Sequence, residues 1–137
     1  HGGFALKQKL KEYFRQKGFA AEDTEPVFHH PIPFVRASQN VCERVRGNNE
    51  VLGILVCGTG IGVSIAANRF RGIYAAILYD DFTAEYSRRH TNANVLVFGG
   101  RTMSPTEVMH RVEIFLSHEF EGKEYARRNH LIDQIKQ

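Results

Sequence analysis

Cysteine is scarce in this chain: Cys42 and Cys57 are the two in 137 residues. With no pairing pattern between them, a disulfide-built secreted module is excluded, and both read as reduced thiols of a cytoplasmic protein. No apolar run reaches membrane-spanning length, which excludes a helical span, and no signal-peptide pattern is present. Surplus charge is also missing. Eighteen Lys and Arg against fifteen Asp and Glu leave a net charge of +3. The basic residues are scattered apart from Arg88-Arg89 and Arg127-Arg128, so there is no stripe for nucleic acid. Internal repeats and low-complexity segments are absent as well. Proline is rare, and three of the four fall within the stretch "TEPVFHHPIP", which must be a loop. Its neighbouring His29 and His30 point apart in an extended loop, so they are not expected to bind a metal.

What is present is a 42% apolar composition, enough for one cored domain over residues 1–137. Residues 3–17 read as an amphipathic helix with Phe4, Leu6, Leu10, Tyr13 and Phe14 near helical spacing, stopped by Gly18. A short strand is expected at 19–22. A second helix follows over 34–46, with Val35, Val41, Cys42 and Val45 inward. Strands at 52–57, 73–79 and 95–98 alternate with helices at 61–69, 80–89 and 104–118, and a last helix runs over 123–136. "SPTE" spells a helix start: Ser104 as N-cap, Pro105 at the first helical position and Glu107 closing a capping box. Asp80 or Asp81 caps the helix before it. The chain opens "HGGFALKQ", and Gly-Gly before a helix usually follows a strand, so a further strand is expected ahead of residue 1. This order predicts an α/β fold: a single doubly wound, mostly parallel, Rossmann-like sheet with helices on both faces. Ligands in such sheets bind beyond the carboxyl ends of the strands. Cys57, Asp80-Asp81 and the Gly99-Gly100-Arg101 turn fall there. His90, just before the 95–98 strand, does not.

The stretch "VCGTGIGVSIAANR", residues 56–69, carries the chemistry. An apolar strand ends in Cys57, and Gly58, Gly60 and Gly62 let the backbone turn tightly and approach a ligand. The helix that begins here turns free N–H groups and a positive dipole end toward the loop, which suits an anion and favours the thiolate of Cys57. Thr59 and Ser64 add hydroxyl donors. A P-loop needs Gly-Lys-Ser/Thr where this chain has Gly62-Val63-Ser64, and a Cys-x5-Arg phosphatase loop needs arginine where Val63 stands. A dinucleotide fingerprint is nearer, with Asp80 twenty positions after Gly60, so a nucleotide-binding module is the competing reading. A tight turn around an inert buried cysteine is the plain one. Elsewhere the plain readings are core packing for Cys42, helix caps for Asp80 and Asp81, and surface positions for His110 and His118.

The segment "CGTGIGVSIAANRFRGIYAAILYDDFTAEYSRRHTNANVLVFGGR" closely resembles the type B ribose-5-phosphate isomerases, a family shared with the subunits of galactose-6-phosphate isomerase. The opening "HGGFALK" is similar to the segment after that family's first strand, and "EGKEYARRNHLIDQI" matches its tail more loosely. The resemblance implies an aldose–ketose isomerase of the pentose phosphate pathway acting through a cis-enediolate, without metal or organic cofactor. Cys57 would be the general base between C2 and C1. Gly58, Gly60, Ile61, Gly62 and Ser64 would stabilise the enediolate. Thr59 would act at the sugar hydroxyls and, with His90, open the furanose ring, with Asn92 contacting the sugar. His1, Arg101 and Arg128 would hold the phosphate. The family's site lies between subunits, so a homodimer or tetramer is implied, with the C-terminal helix exchanged with or packed on the partner. Hexose 6-phosphates are the alternative substrates, and a noncatalytic partner subunit is the remaining reading, opposed by the intact Cys57 and His90.

Those residue types suit the chemistry independently. Removing a weakly acidic C–H proton needs a base of suitable pKa and preorganised donors for the oxyanion. Histidine titrates in the range useful for passing a proton to a ring oxygen, and arginine's planar fork fits phosphate. Three positions depart from the family pattern. Its Asp before the first His is not in this sequence, Thr91 stands where Asn usually follows the catalytic His, and Glu124 replaces the first of two tail arginines, with Arg127 or Lys123 nearby to compensate.

Overall fold

In a computed structural model, which describes residues 3–24 and 32–135, the polar–apolar periodicity resolves into two helices, then alternating strands and helices, then a final helix. His1 and the His29-His30 pair lie outside the described residues. The helices are α1 (Phe4–Gln16), α2 (Phe34–Val45), α3 (Ile61–Ala67), α4 (Asp81–Arg89), α5 (Pro105–Leu116) and α6 (Glu124–Asp133). The strands are β1 (Gly53–Cys57), β2 (Ala75–Ile77) and β3 (Val95–Gly99), all parallel, in the order β1-β3-β2.

Strand β3 explains the layering. Every residue of it is buried, as expected for a central parallel strand covered on both faces. Its side chains alternate: Leu96 and Phe98 pack with Leu6, Leu10, Val108, Val112 and Phe115 of α1 and α5, whereas Val95 and Val97 pack with Cys42, Val45, Val63 and Ala67 of α2 and α3. Burying a side chain such as Phe98 or Phe115 contributes about 1.5–3 kcal/mol, so these two layers carry the fold. The same alternation turns Leu55 and Cys57 of β1 toward the α2/α3 layer. The doubly wound expectation holds.

Two capping boxes set the helix starts at the carboxyl end of the sheet. Ser104 and Glu107 exchange side-chain and backbone bonds at α5, with Pro105 inside the first turn. Asp80 accepts from Thr83 N at 2.7 Å at α4, and that bond lowers its carboxyl pKa. Asp80 is thereby committed to the helix, as the cap reading expects, rather than held out for a ribose.

Three expectations are corrected. Residues 19–22 form no strand: Gly18, at φ +87°, reverses the chain along α1. The segment is then held by side chains, Phe19 edge-on to Phe14 and Asp23 bridging Lys7 and Lys11, and pairs with no strand among the described residues. Val35 is exposed, although Cys42 and Val45 are buried and Val41 packs against them. It sits on the first turn of α2, beyond the sheet's reach, where Ser38 takes the buried position. Strand β2 is three residues long rather than seven, with Ala75 to Ile77 paired to Val95 to Val97 of β3.

Candidate functional site

The helices after β1 and β3 pack on opposite faces, so the cleft between these neighbouring strands is the switch point where such sheets bind ligands. Cys57 and Gly99 are paired across it. Two bonds tie the emerging loops: Gly100 N donates to Cys57 O at 2.7 Å, and Arg101 N donates to Gly58 O at 2.9 Å. The Arg101 side chain lies over Gly58, where a Cβ would meet its Cδ at 3.5 Å. The structure therefore brings Cys57, Gly58, Thr59, Gly60 and Arg101 together.

Cys57 is half-buried, and its Sγ accepts the Gly60 N–H at 3.1 Å. Gly60 reaches that pose at φ +86°, a left-handed backbone that costs other residues about 1–2 kcal/mol. Thr59 Oγ1 accepts from Ile61 N at 3.2 Å, leaving the hydroxyl hydrogen free to point outward. The first bond inside α3 is Ser64 N to Gly60 O, so the amides of Gly62 and Val63 precede any helical acceptor. The Ser64 hydroxyl donates back to Ile61 O at 2.8 Å. Gly62 also meets a packing constraint: it lies at the start of α3 under the Phe34 ring, where a Cβ would come within 3.2 Å of Phe34 Cε2.

A second cluster forms at the amino end of the strands. Helix α4 runs antiparallel to the sheet from its cap at Asp80, so His90 emerges about 13 Å away, beside Asn94 and the start of β3. Tyr125 of α6 stacks on the His90 ring at 3.9 Å and 8°, and Tyr86 meets it edge-on at 4.6 Å. His90 Nε2 lies 3.5 Å from Glu121 Oε2. Arg128 sits over the other aromatic of this stack, its guanidinium 5.1 Å from the Tyr125 ring centre. Asn129 Nδ2 donates to Thr91 O at 2.7 Å, and Tyr74 bonds Asp133, so α6 is clasped to its own chain while Leu131 and Ile132 stay exposed. The sequence-predicted residues thus divide into two groups at opposite ends of one sheet: Cys57 to Ser64 with Arg101, and His90 with Asn92 and Arg128. Among the described residues no cluster of His, Cys, Asp and Glu is arranged to hold a metal ion.

The model for ribose/galactose isomerases matches residues 1–132. A probable ribose-5-phosphate isomerase B of Mycoplasma genitalium is 37% identical over 98% of this chain and 88% of its own length. The chain belongs to the ribose/galactose isomerase family. Two solved structures agree. A ribose 5-phosphate isomerase of Thermotoga maritima superposes with a TM-score of 0.93 at 38% identity, covering 98% of this chain and 93% of that one. The Mycoplasma genitalium ribose-5-phosphate isomerase B, solved with bound ribulose 5-phosphate, gives 0.92 at 36% identity, covering 98% and 90%.

One departure from this isomerase family's pattern has a local explanation. Glu124 is paired with Arg127 at 3.2 Å, so its carboxylate is screened from Arg128. Asn92 holds φ +51°, and its Oδ1 accepts from Arg88 at 2.7 Å, leaving the amide hydrogens as its free donors. Glu121 and Tyr125 are marked by neither residue type nor spacing; the segment after α5 brings Glu121, and α6 brings Tyr125, back to His90 at the end of α4. His118 is half-buried rather than a surface residue, its Nδ1 2.7 Å from Ile114 O and its Nε2 3.7 Å from Glu85.

The two thiols are expected to differ sharply toward alkylation. Cys42 is fully buried and burial pushes its pKa up to about 11, whereas Cys57 opens at the switch point. Brief iodoacetamide treatment of the native protein should give one adduct per chain, on Cys57 by peptide mass mapping. Equal labelling of Cys42 would contradict this geometry.

Proposed function

We propose that the protein interconverts ribose 5-phosphate and ribulose 5-phosphate through a cis-enediolate, in a site completed by a second copy of the chain. The observation that carries the reading is the Gly60 N–H donated to Cys57 Sγ at the β1/β3 switch point. An amide aimed at sulfur is a donor for negative charge there, and this sulfur is the group placed to remove a carbon-bound proton. The thiolate takes the C2 proton, electrons move into C1=O1 to form the enediolate, and the same proton returns to C1 while the O2 proton passes to O1. Loop amides around Gly58, Gly60, Ile61 and Gly62, with Thr59 and Ser64, receive the negative charge as it develops. Arg101, above Gly58, is one phosphate ligand. His1, Arg128 and the Asn92 amide complete the contacts, and His90 opens the furanose ring.

The division of these residues between two ends of one sheet supports assembly across an interface. In a two-fold dimer the carboxyl end of one sheet can face the amino end of the other, joining Cys57 of one copy to His90 and Arg128 of the next. An apolar groove of about 400 Å³ beside the thiol loop, lined by Phe34, Val35, Gly62, Ile65 and Phe70, is the kind of surface such a contact covers. The family takes in galactose isomerases as well as ribose isomerases, which gives hexose phosphate isomerisation as the second reading. The test is ketose formation from ribose 5-phosphate, galactose 6-phosphate and allose 6-phosphate side by side. The pentose is expected to be preferred by at least about tenfold in kcat/KM, or ~1.4 kcal/mol at the transition state. Preference for either hexose would replace the first reading by the second.

A further inference from the structure

We propose that Glu121 and Tyr125 are positioning residues for His90: the carboxylate fixes the imidazole proton on Nε2, and the phenol ring holds the imidazole plane, so that Nδ1 is the atom that exchanges a proton with the sugar. This rests on the reading of His90 as the ring-opening group.

The carboxylate is held from two sides. Arg89 Nε donates to Glu121 Oε2 at 2.8 Å, and Glu121 N donates to Arg89 O at 2.9 Å, so the segment after α5 is pinned to the last turn of α4. His90, the C-cap of that helix, has its own N–H bonded to Tyr86 O. Backbone and carboxylate therefore share one frame, and Nε2 faces Oε2 at 3.5 Å. A neutral imidazole carries one proton, and a carboxylate on one side keeps it on the nearer nitrogen. Among the described residues nothing hydrogen-bonds Nδ1, which leaves a lone pair open at the edge of the cluster. Tyr125, parallel at 3.9 Å, and Tyr86, edge-on, prevent the ring from rotating away. In ring opening, Nδ1 accepts the proton of the anomeric O1–H, the C1–O4 bond breaks with its electron pair going to O4, and the imidazolium returns the proton to O4. Glu121 stabilises the imidazolium in between, and no proton is gained or lost overall.

The experiment compares two aldoses in the full-length enzyme: ribose 5-phosphate, and 4-deoxyribose 5-phosphate, which lacks O4 and cannot close a furanose. Glu121→Gln keeps the shape and removes the charge. It should lower kcat on ribose 5-phosphate by about 10–100-fold and kcat on the 4-deoxy sugar by less than about threefold. Tyr125→Phe should recover most of the turnover on ribose 5-phosphate that Tyr125→Ala loses. Equal losses of Glu121→Gln on both sugars, with His90→Ala still selective for the cyclic one, would overturn this inference alone. Equal losses of His90→Ala on both sugars would overturn the ring-opening reading beneath it.

Discussion

Cys57→Ala should lower ketose formation from ribose 5-phosphate by at least about 10³-fold, because the base that moves the carbon-bound proton is gone and general acid–base groups supply about 10²–10⁴. The fold should survive. Cys57 is half-buried at the end of β1, and its side chain accepts the Gly60 N–H, which water can reach once the sulfur is removed. The stability loss is then on the order of 1 kcal/mol, a shift of a few degrees in Tm for a domain of this size. Cys57→Ser makes the test stricter. It keeps volume and hydrogen bonding but replaces a readily ionised thiol by a hydroxyl that needs a partner base, and the adjacent loop provides none: Thr59 serves Ile61 N and Ser64 serves Ile61 O. Both variants should therefore be inactive and folded, by coupled ketose assay and by circular dichroism melts. Turnover within a few-fold of the parent in either would remove Cys57 from the mechanism.

The second large effect is restoration rather than loss. Cys57→Ala and His90→Ala should each be severely impaired alone, yet a mixture of the two that has exchanged subunits should recover about a quarter of the parent activity. Random re-pairing makes half of the dimers mixed. In each mixed dimer one of the two sites combines an intact Cys57 from one chain with an intact His90 from the other. The topology motivates this arithmetic: α4 carries the chain from Asp80 at one end of the sheet to His90 at the other, and no described contact joins His90 to the thiol loop. The measurement is ketose formation before and after mild dissociation and reassembly, against unmixed controls. A mixture no more active than its components would place both residues in one chain's site and refute assembly across the interface.

Much of this was legible without coordinates because it depends on neighbours in sequence. The capping residues Asp80, Ser104 and Glu107 act within three positions and could be read from spacing. The buried strand β3 announced itself as an unbroken apolar run, and Cys42 as an apolar-face residue of α2. The thiol at a strand end before a glycine turn likewise determined where a base and its amides would lie. Tertiary structure decided what depends on distant segments. That the Phe34 ring lies over Gly62, 28 positions away, is such a case. Residues 19–22 had strand composition but pair with no strand among the described residues, and Val35 had helical spacing but stays exposed. Glu121 and Tyr125 showed no role beside His90, because that role comes from the segment after α5 and from α6 folding back over the end of α4. Local hydrogen bonds and side-chain periodicity are written in a few consecutive residues, whereas packing partners are set by chain paths dozens of residues apart, so sequence determined the elements and the reactive loop while the fold determined which side chains share a site.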